Sequence, residues 1–134
     1  MSNKIYIDDD EHTEDDRHIG RHLVSDMWKC QKLTDDVESL EKIILNACHV
    51  ANATILGVSS HKFEPQGVTV IVLLAESHIS LHSWPEYDYV AIDVFTCGKN
   101  MDPQSAIDYL EDRLKPEKVE TKKIIRGENY AQYN

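Results

Sequence analysis

Residues 68–96 read VTVIVLLAESHISLHSWPEYDYVAIDVFT, and this stretch decides the fold. Val68 to Ala75 is an uninterrupted apolar run of strand length, the pattern of a strand buried on both faces. The segment ISLHS, from Ile79 to Ser83, alternates apolar and polar residues, and YVAIDVFT, from Tyr89 to Thr96, alternates again. Trp84-Pro85-Glu86 separates these two as a turn. Strands joined by such short connections form an antiparallel meander.

The pattern extends in both directions. TILGVSSHKF, Thr54 to Phe63, predicts the preceding strand, and EPQG, residues 64–67, its turn. Farther upstream, RHLVSDMWKC (residues 21–30) predicts a first strand. Thr34 is the expected N-cap of a helix with Asp35 and Asp36 in its first turn, where the helix dipole favours negative charge. Val37, Leu40, Ile44, Ala47 and Ala51 recur at helical spacing and end it near Asn52. Downstream, Asp102-Pro103 predicts a second helix by an N-cap followed by proline, and Ile107, Leu110 and Leu114 supply its apolar face. Pro116 stops that helix, and KVETKKIIR, residues 118–126, predicts a last, edge strand carrying charge.

The order strand, helix, four strands, helix, strand predicts an α+β, two-layer sandwich, a mostly antiparallel sheet with two helices on one face. The other face then needs a polar surface or a partner, which makes a dimer the expectation. With 134 residues, 41% of them hydrophobic, the chain suits one domain, expected over residues 20–127. Residues 1–19 are acidic and poor in apolar groups, predicting a disordered extension, and 128–134 read as a polar tail.

The formal charge of -10 disfavours nucleic acid and anionic membranes as partners, although half of it sits in the acidic leader. Cys30, Cys48 and Cys97 show no C-x-x-C spacing, so neither a disulfide framework nor a thiolate zinc site is indicated; reduced thiols in the cytoplasm are the expectation. No apolar run is long enough to cross a membrane, and no secretory signal is read.

Between the strands lies a group of chemically capable residues: Glu76-Ser77-His78, then His82, then Cys97-Gly98. Taken singly, each has an ordinary reading as a turn former, a hydrogen-bonding histidine or a small buried thiol. His78 and His82 share i,i+4 spacing, but the segment alternates like a strand and offers no third ligand, so no metal is expected. A hydrolytic set of Ser77, His82 and Asp93 lacks the G-x-S-x-G context. In a regular strand Ser77 and His82 face opposite sides, so they meet within one strand only if the chain bends near Ser77. A strained Glu76-Ser77 peptide is what attack by the Ser77 hydroxyl on its own preceding carbonyl needs.

ESHISLHSWPEY (76–87) followed by AIDVFTCG (91–98) resembles the signature of the short bacterial and archaeal S-adenosylmethionine decarboxylase proenzymes. The similarity takes in GRHLV (20–24), SSHKFEPQGVTV (59–70) and Asp102-Pro103, and covers about Gly20 to Leu114. It implies a lyase that decarboxylates S-adenosylmethionine for spermidine biosynthesis. Removing CO2 from an α-amino acid leaves a carbanion that needs an electron sink, such as a Schiff base conjugated to a carbonyl.

The resemblance implies that the zymogen builds this sink by autocatalytic cleavage. Ser77 attacks the Glu76 carbonyl to give an ester, β-elimination releases residues 1–76, and the remaining dehydroalanine hydrolyses to a covalent pyruvoyl group at position 77. It makes His82 the base that assists elimination and Cys97 the acid that returns a proton to the product. A thiol with an ordinary pKa near 8.5 suits that role at neutral pH. Thr69 stands where relatives usually have a serine whose hydroxyl helps processing; the hydroxyl is kept and a methyl added, which leaves the processing rate open. Phe63 corresponds to an aromatic that stacks on adenine, and Glu86 to a carboxylate on the ribose hydroxyls. The family is active as a homodimer of cleaved protomers, with residues from both contributing to one pocket. Two alternatives are open at this point: a pyruvoyl-dependent ornithine or arginine decarboxylase, and a non-catalytic dimeric binding module.

Overall fold

The computed structural model describes residues 3–8 and 18–133. Its core is the expected meander: β3 (Ile55–Lys62), β4 (Val68–Leu74), β5 (Ser77–Trp84) and β6 (Tyr89–Thr96), each antiparallel to the next. β2 (Gly20–Trp28) pairs with β6, and β7 (Lys118–Arg126) pairs antiparallel with β2. Helices α1 (Val37–Val50) and α2 (Pro103–Leu114) pack on each other and on one face of the sheet. The α+β sandwich read from the sequence is the fold observed.

Several local expectations are corrected. Asn3–Asp8 form a strand, β1, parallel to β7, so the leader is not wholly outside the fold. Ile5, Tyr6 and Ile7 precede most of the acidic run and are strand-favouring types. Of the rest of the expected disordered extension, residues 1–2 and 9–17 lie outside the described residues, while Ile19 is tied to the fold, its N–H donating to the Arg126 carbonyl at 3.0 Å. β7 is consequently an interior strand, between β1 and β2, and not an edge. Within the expected polar tail, Tyr130–Tyr133 make a short 3-10 turn.

The N-cap of α1 is Asp36 and not Thr34: the Asp36 carboxylate accepts from the Ser39 backbone N–H at 3.0 Å, while Thr34 Oγ1 accepts from the Asp36 N–H at 3.2 Å. A carboxylate there satisfies a free amide and meets the positive end of the helix dipole. The Asp102 cap of α2 forms as expected.

β4 is buried on one face only. Val68, Val70, Val72 and Leu74 lie under the helices at 2% exposure or less, whereas Ile71 and Leu73 are 45% and 57% exposed. The helices cover a single face, so the apolar side chains on the other remain uncovered. The fold therefore presents an apolar outer sheet surface, on which His22, His78, His82 and Phe95 also lie by strand parity.

Candidate active site

The site begins where β4 turns into β5. Leu74 pairs directly with Ser77, so Ala75 and Glu76 alone make the hairpin connection. Neither is glycine or asparagine, the usual suppliers of positive φ in tight hairpins, and the unusual dihedral falls instead on Ser77, whose φ is 151°. A non-glycine residue held there carries about 1–3 kcal/mol of strain, maintained by its surroundings.

Those surroundings grip Glu76 at both ends. Its carboxylate accepts from the Thr54 backbone N–H at 2.9 Å and from the Thr54 hydroxyl at 3.0 Å. These bonds, the backbone one foremost, hold the carboxyl below the usual carboxylate range. The Ala75 N–H donates to the Thr54 carbonyl, completing the clamp. At the other end, the Glu76 carbonyl oxygen accepts from the Cys97 N–H at 2.9 Å and from the Cys97 thiol at 3.0 Å. Two donors on one carbonyl polarise it and match the arrangement that stabilises an oxyanion.

Cys97 reaches this position because Thr96 pairs with Ser77 across β5 and β6, which sets the next residue beside the turn. A Cβ at position 98 would lie 3.3 Å from the Glu76 side chain, so the glycine permits the close approach. Arg21 donates to the Gly98 carbonyl at 3.0 Å and ties that loop to β2. Of the three cysteines only Cys97 is exposed; burial pushes the Cys30 thiol up to about 12 and the Cys48 thiol to about 11, leaving both protonated and inert.

The remaining residues singled out in the sequence gather elsewhere. Thr69 and His82 face each other across β4 and β5, with Thr69 Oγ1 and His82 Nδ1 3.0 Å apart. Phe63 follows β3 at the same end of the sheet, 47% exposed and edge-on to His61. Glu86 is exposed in the 3-10 turn Pro85–Tyr87 that follows β5. β5 runs from Ser77 to His82 without a register shift, so five residues, roughly 16 Å at strand rise, separate them. One chain thus holds two groups: Glu76, Ser77 and Cys97 at one end of β5, and Phe63, Thr69, His82 and Glu86 toward the other.

The hydrolytic set Ser77, His82 and Asp93 does not assemble. Asp93 bonds His22 Nε2 at 3.1 Å and accepts from Ser80 Oγ at 3.3 Å, while His82 is engaged with Thr69. Among the described residues no group of three potential ligands could hold a metal.

Thr54, Arg21 and His78's contact with Ser77 were not legible in the sequence. Thr54 and Arg21 act from positions 22 and 77 residues away from their partners, and no local spacing signals such contacts. His78 was visible only as half of a weak metal pair, although Ser77 Oγ lies 3.3 Å from its Nδ1.

A polarised carbonyl, a serine at positive φ and an exposed thiol thus meet at one turn, and comparison with known proteins shows the family in which they occur. The family model described as S-adenosylmethionine decarboxylase matches residues 21–127. The S-adenosylmethionine decarboxylase proenzyme of Methanococcus vannielii is 46% identical over 83% of this chain and 92% of its own length. That of Brevibacillus brevis is 50% identical over 81% of this chain and 83% of its own. The crystal structure of the adenosylmethionine decarboxylase from Aquifex aeolicus superposes with a TM-score of 0.76 at 34% identity, covering 83% of this chain and 92% of that one. The chain belongs to the S-adenosylmethionine decarboxylase family.

Proposed function

We propose that the chain is an autoprocessing decarboxylase that converts S-adenosylmethionine to its decarboxylated form and CO2, supplying the aminopropyl donor for spermidine biosynthesis. The observation that carries this reading is the Glu76 carbonyl, held by the Cys97 N–H and thiol next to a serine at φ 151°. A hydroxyl beside a strained, polarised peptide favours conversion of the Glu76-Ser77 amide to an ester. The names of the relatives favour the adenosyl substrate over ornithine or arginine, and an enzyme over a binding module.

Cleavage would leave residues 1–76 and 77–134, the second starting with a pyruvoyl group. That group supplies the electron sink for the charge left when CO2 departs. Cys97 lies against the same turn, and its exposed thiol is the acid that hands a proton to the product carbon. Phe63 stacks on the adenine, and Glu86 accepts from the ribose hydroxyls.

We infer a homodimer as the working unit, and the separation along β5 is the reason. His82 cannot serve the Ser77 of its own chain from roughly 16 Å away. A twofold pairing of outer sheet faces, burying Ile71 and Leu73, would bring the Phe63, Thr69, His82 and Glu86 group of one subunit against the Ser77 and Cys97 group of the other. The cytoplasm suits three free thiols, and among the described residues no helix is long and apolar enough to span a membrane.

The test combines intact mass with carbon dioxide release. Two fragments meeting at 76 and 77, the second blocked at its N-terminus, together with release from carboxyl-labelled S-adenosylmethionine, are expected. An intact, inactive chain refutes the reading, and release from ornithine or arginine instead refutes the substrate. Ser77→Ala should remain uncleaved.

A further inference from the structure

Self-cleavage at Glu76-Ser77 needs two proton removals at different atoms. The first takes the hydroxyl proton from Ser77 as Oγ attacks the Glu76 carbonyl carbon. The second takes the Cα proton of residue 77 during elimination, and is the step to which His82 is assigned. The hydroxyl step has no base yet, and within the chain His82 is engaged with Thr69 at the far end of the strand.

We propose that His78 is that base. Its Nδ1 lies 3.3 Å from Ser77 Oγ, the one side-chain hydrogen bond that joins the reacting oxygen to a titratable group among the described residues. Adjacent strand residues ordinarily face opposite sides of a sheet. Contact between Ser77 and His78 accompanies the departure from strand geometry at φ 151°, so the dihedral that strains the peptide also goes with a nucleophile and base in contact. The imidazole is half-buried and fixed in place, tilted against Phe95 at 5.9 Å and edge-on to His22 at 6.4 Å. His22 in turn is held by Asp93 at 3.1 Å. The contact is slightly long for a hydrogen bond, as resting catalytic contacts often are before they tighten in the transition state.

This inference rests on the proposed self-cleavage. As Oγ attacks, Nδ1 of His78 accepts the hydroxyl proton and the C–O bond forms. The carbonyl electron pair moves onto the Glu76 oxygen, where the Cys97 N–H and thiol receive it. Collapse of this adduct breaks the Glu76-Ser77 C–N bond, and the imidazolium returns its proton to the departing nitrogen. Peptide becomes ester plus amine, and His78 ends as it began, with no co-reactant consumed.

The experiment follows freshly translated precursor by intact mass in wild type, His78→Ala, His78→Asn and His82→Ala, with folding checked by circular dichroism. Hydroxylamine sorts the stalled forms, because it cleaves an ester and spares an amide. Both His78 variants should cleave about 100- to 10,000-fold more slowly and stay resistant to hydroxylamine, and added imidazole should speed them. His82→Ala should stall as a hydroxylamine-sensitive ester. His78→Asn keeps a polar group of similar reach and carries the test if the alanine variant does not fold. Wild-type cleavage in either folded His78 variant overturns the proposal; so does a hydroxylamine-sensitive stall, or slow cleavage indifferent to imidazole. An uncleaved wild-type chain would instead sink the self-cleavage reading.

Discussion

Substituting Cys97 by alanine and by serine should separate two tasks of one thiol. In the precursor the thiol is a hydrogen-bond donor, 3.0 Å from the Glu76 carbonyl oxygen and paired there with the Cys97 N–H at 2.9 Å. After cleavage it is the proposed proton donor to product. Loss of one strong oxyanion donor costs about 100- to 1000-fold in rate. A thiol is a weaker donor and the backbone N–H survives substitution, so Cys97→Ala should slow self-cleavage by about 10-fold, or ~1.4 kcal/mol. Serine restores a donor, and Cys97→Ser should cleave within about 3-fold of wild type. Turnover should behave differently: a hydroxyl is a far weaker acid than a thiol, so cleaved Cys97→Ser should lose about 100-fold or more in carbon dioxide release. Precursor decay by mass spectrometry, and release normalised to cleaved chain, measure the two. Undiminished cleavage in Cys97→Ala refutes the donor role; undiminished turnover in cleaved Cys97→Ser refutes the proton-donor role.

Four further outcomes can be checked. Thr54→Val removes one of two bonds to the Glu76 carboxylate; a neutral partner on the surface is worth about 0.5–1.5 kcal/mol, so cleavage should slow about 2- to 10-fold while the fold persists by circular dichroism. Because the folded-state pKa of Glu76 is depressed, the clamp contributes fully above its ordinary value of 4.5 and is lost as pH falls through the lower folded value, so melting temperature should drop more steeply in acid for wild type than for Glu76→Gln. Co-refolding Ser77→Ala with His82→Ala should yield cleaved His82→Ala chains that neither variant produces alone, read by mass; no cleavage in the mixture refutes a pocket shared between subunits. Ile44→Ala, at 0% exposure in α1, should cost about 2–5 kcal/mol and lower the melting temperature by roughly 10 °C, measured by calorimetry.

The meander was legible because its strands are close in sequence and alternate cleanly: Val90, Ile92 and Val94 fall on one face, as do Ile79 and Leu81. Composition misled where burial depends on a distant element. β4 looks buried on both faces because Ile71 and Leu73 are as apolar as Val70 and Val72, and nothing in the run says that helices cover only one side. The same blindness made β7 an edge strand, since β1 joins it from the opposite end of the chain. Site residues followed suit: Ser77 and Cys97 stand out within short motifs, while Thr54 and Arg21 act across the fold.

The uncovered face of β4 and the divided site are two consequences of one geometry. An eight-residue strand that starts with the nucleophile and carries a histidine five residues later cannot bring the two together while it stays regular. A bulge between them would turn the pair to one face without closing the distance along the strand, and would shift Ile79 and Leu81, both fully buried, out of the core, because a one-residue slip turns every side chain to the other face. Core packing therefore keeps β5 straight. With β5 straight, the proposed self-cleavage would take its hydroxyl step locally, from His78, and its Cα-proton step from another molecule, across the face where Ile71 and Leu73 lack cover. Twofold symmetry makes that exchange reciprocal, so each subunit would complete the site of the other. Self-cleavage would then depend on dimer formation, and a freshly made monomer would be able to form the ester but not to eliminate it.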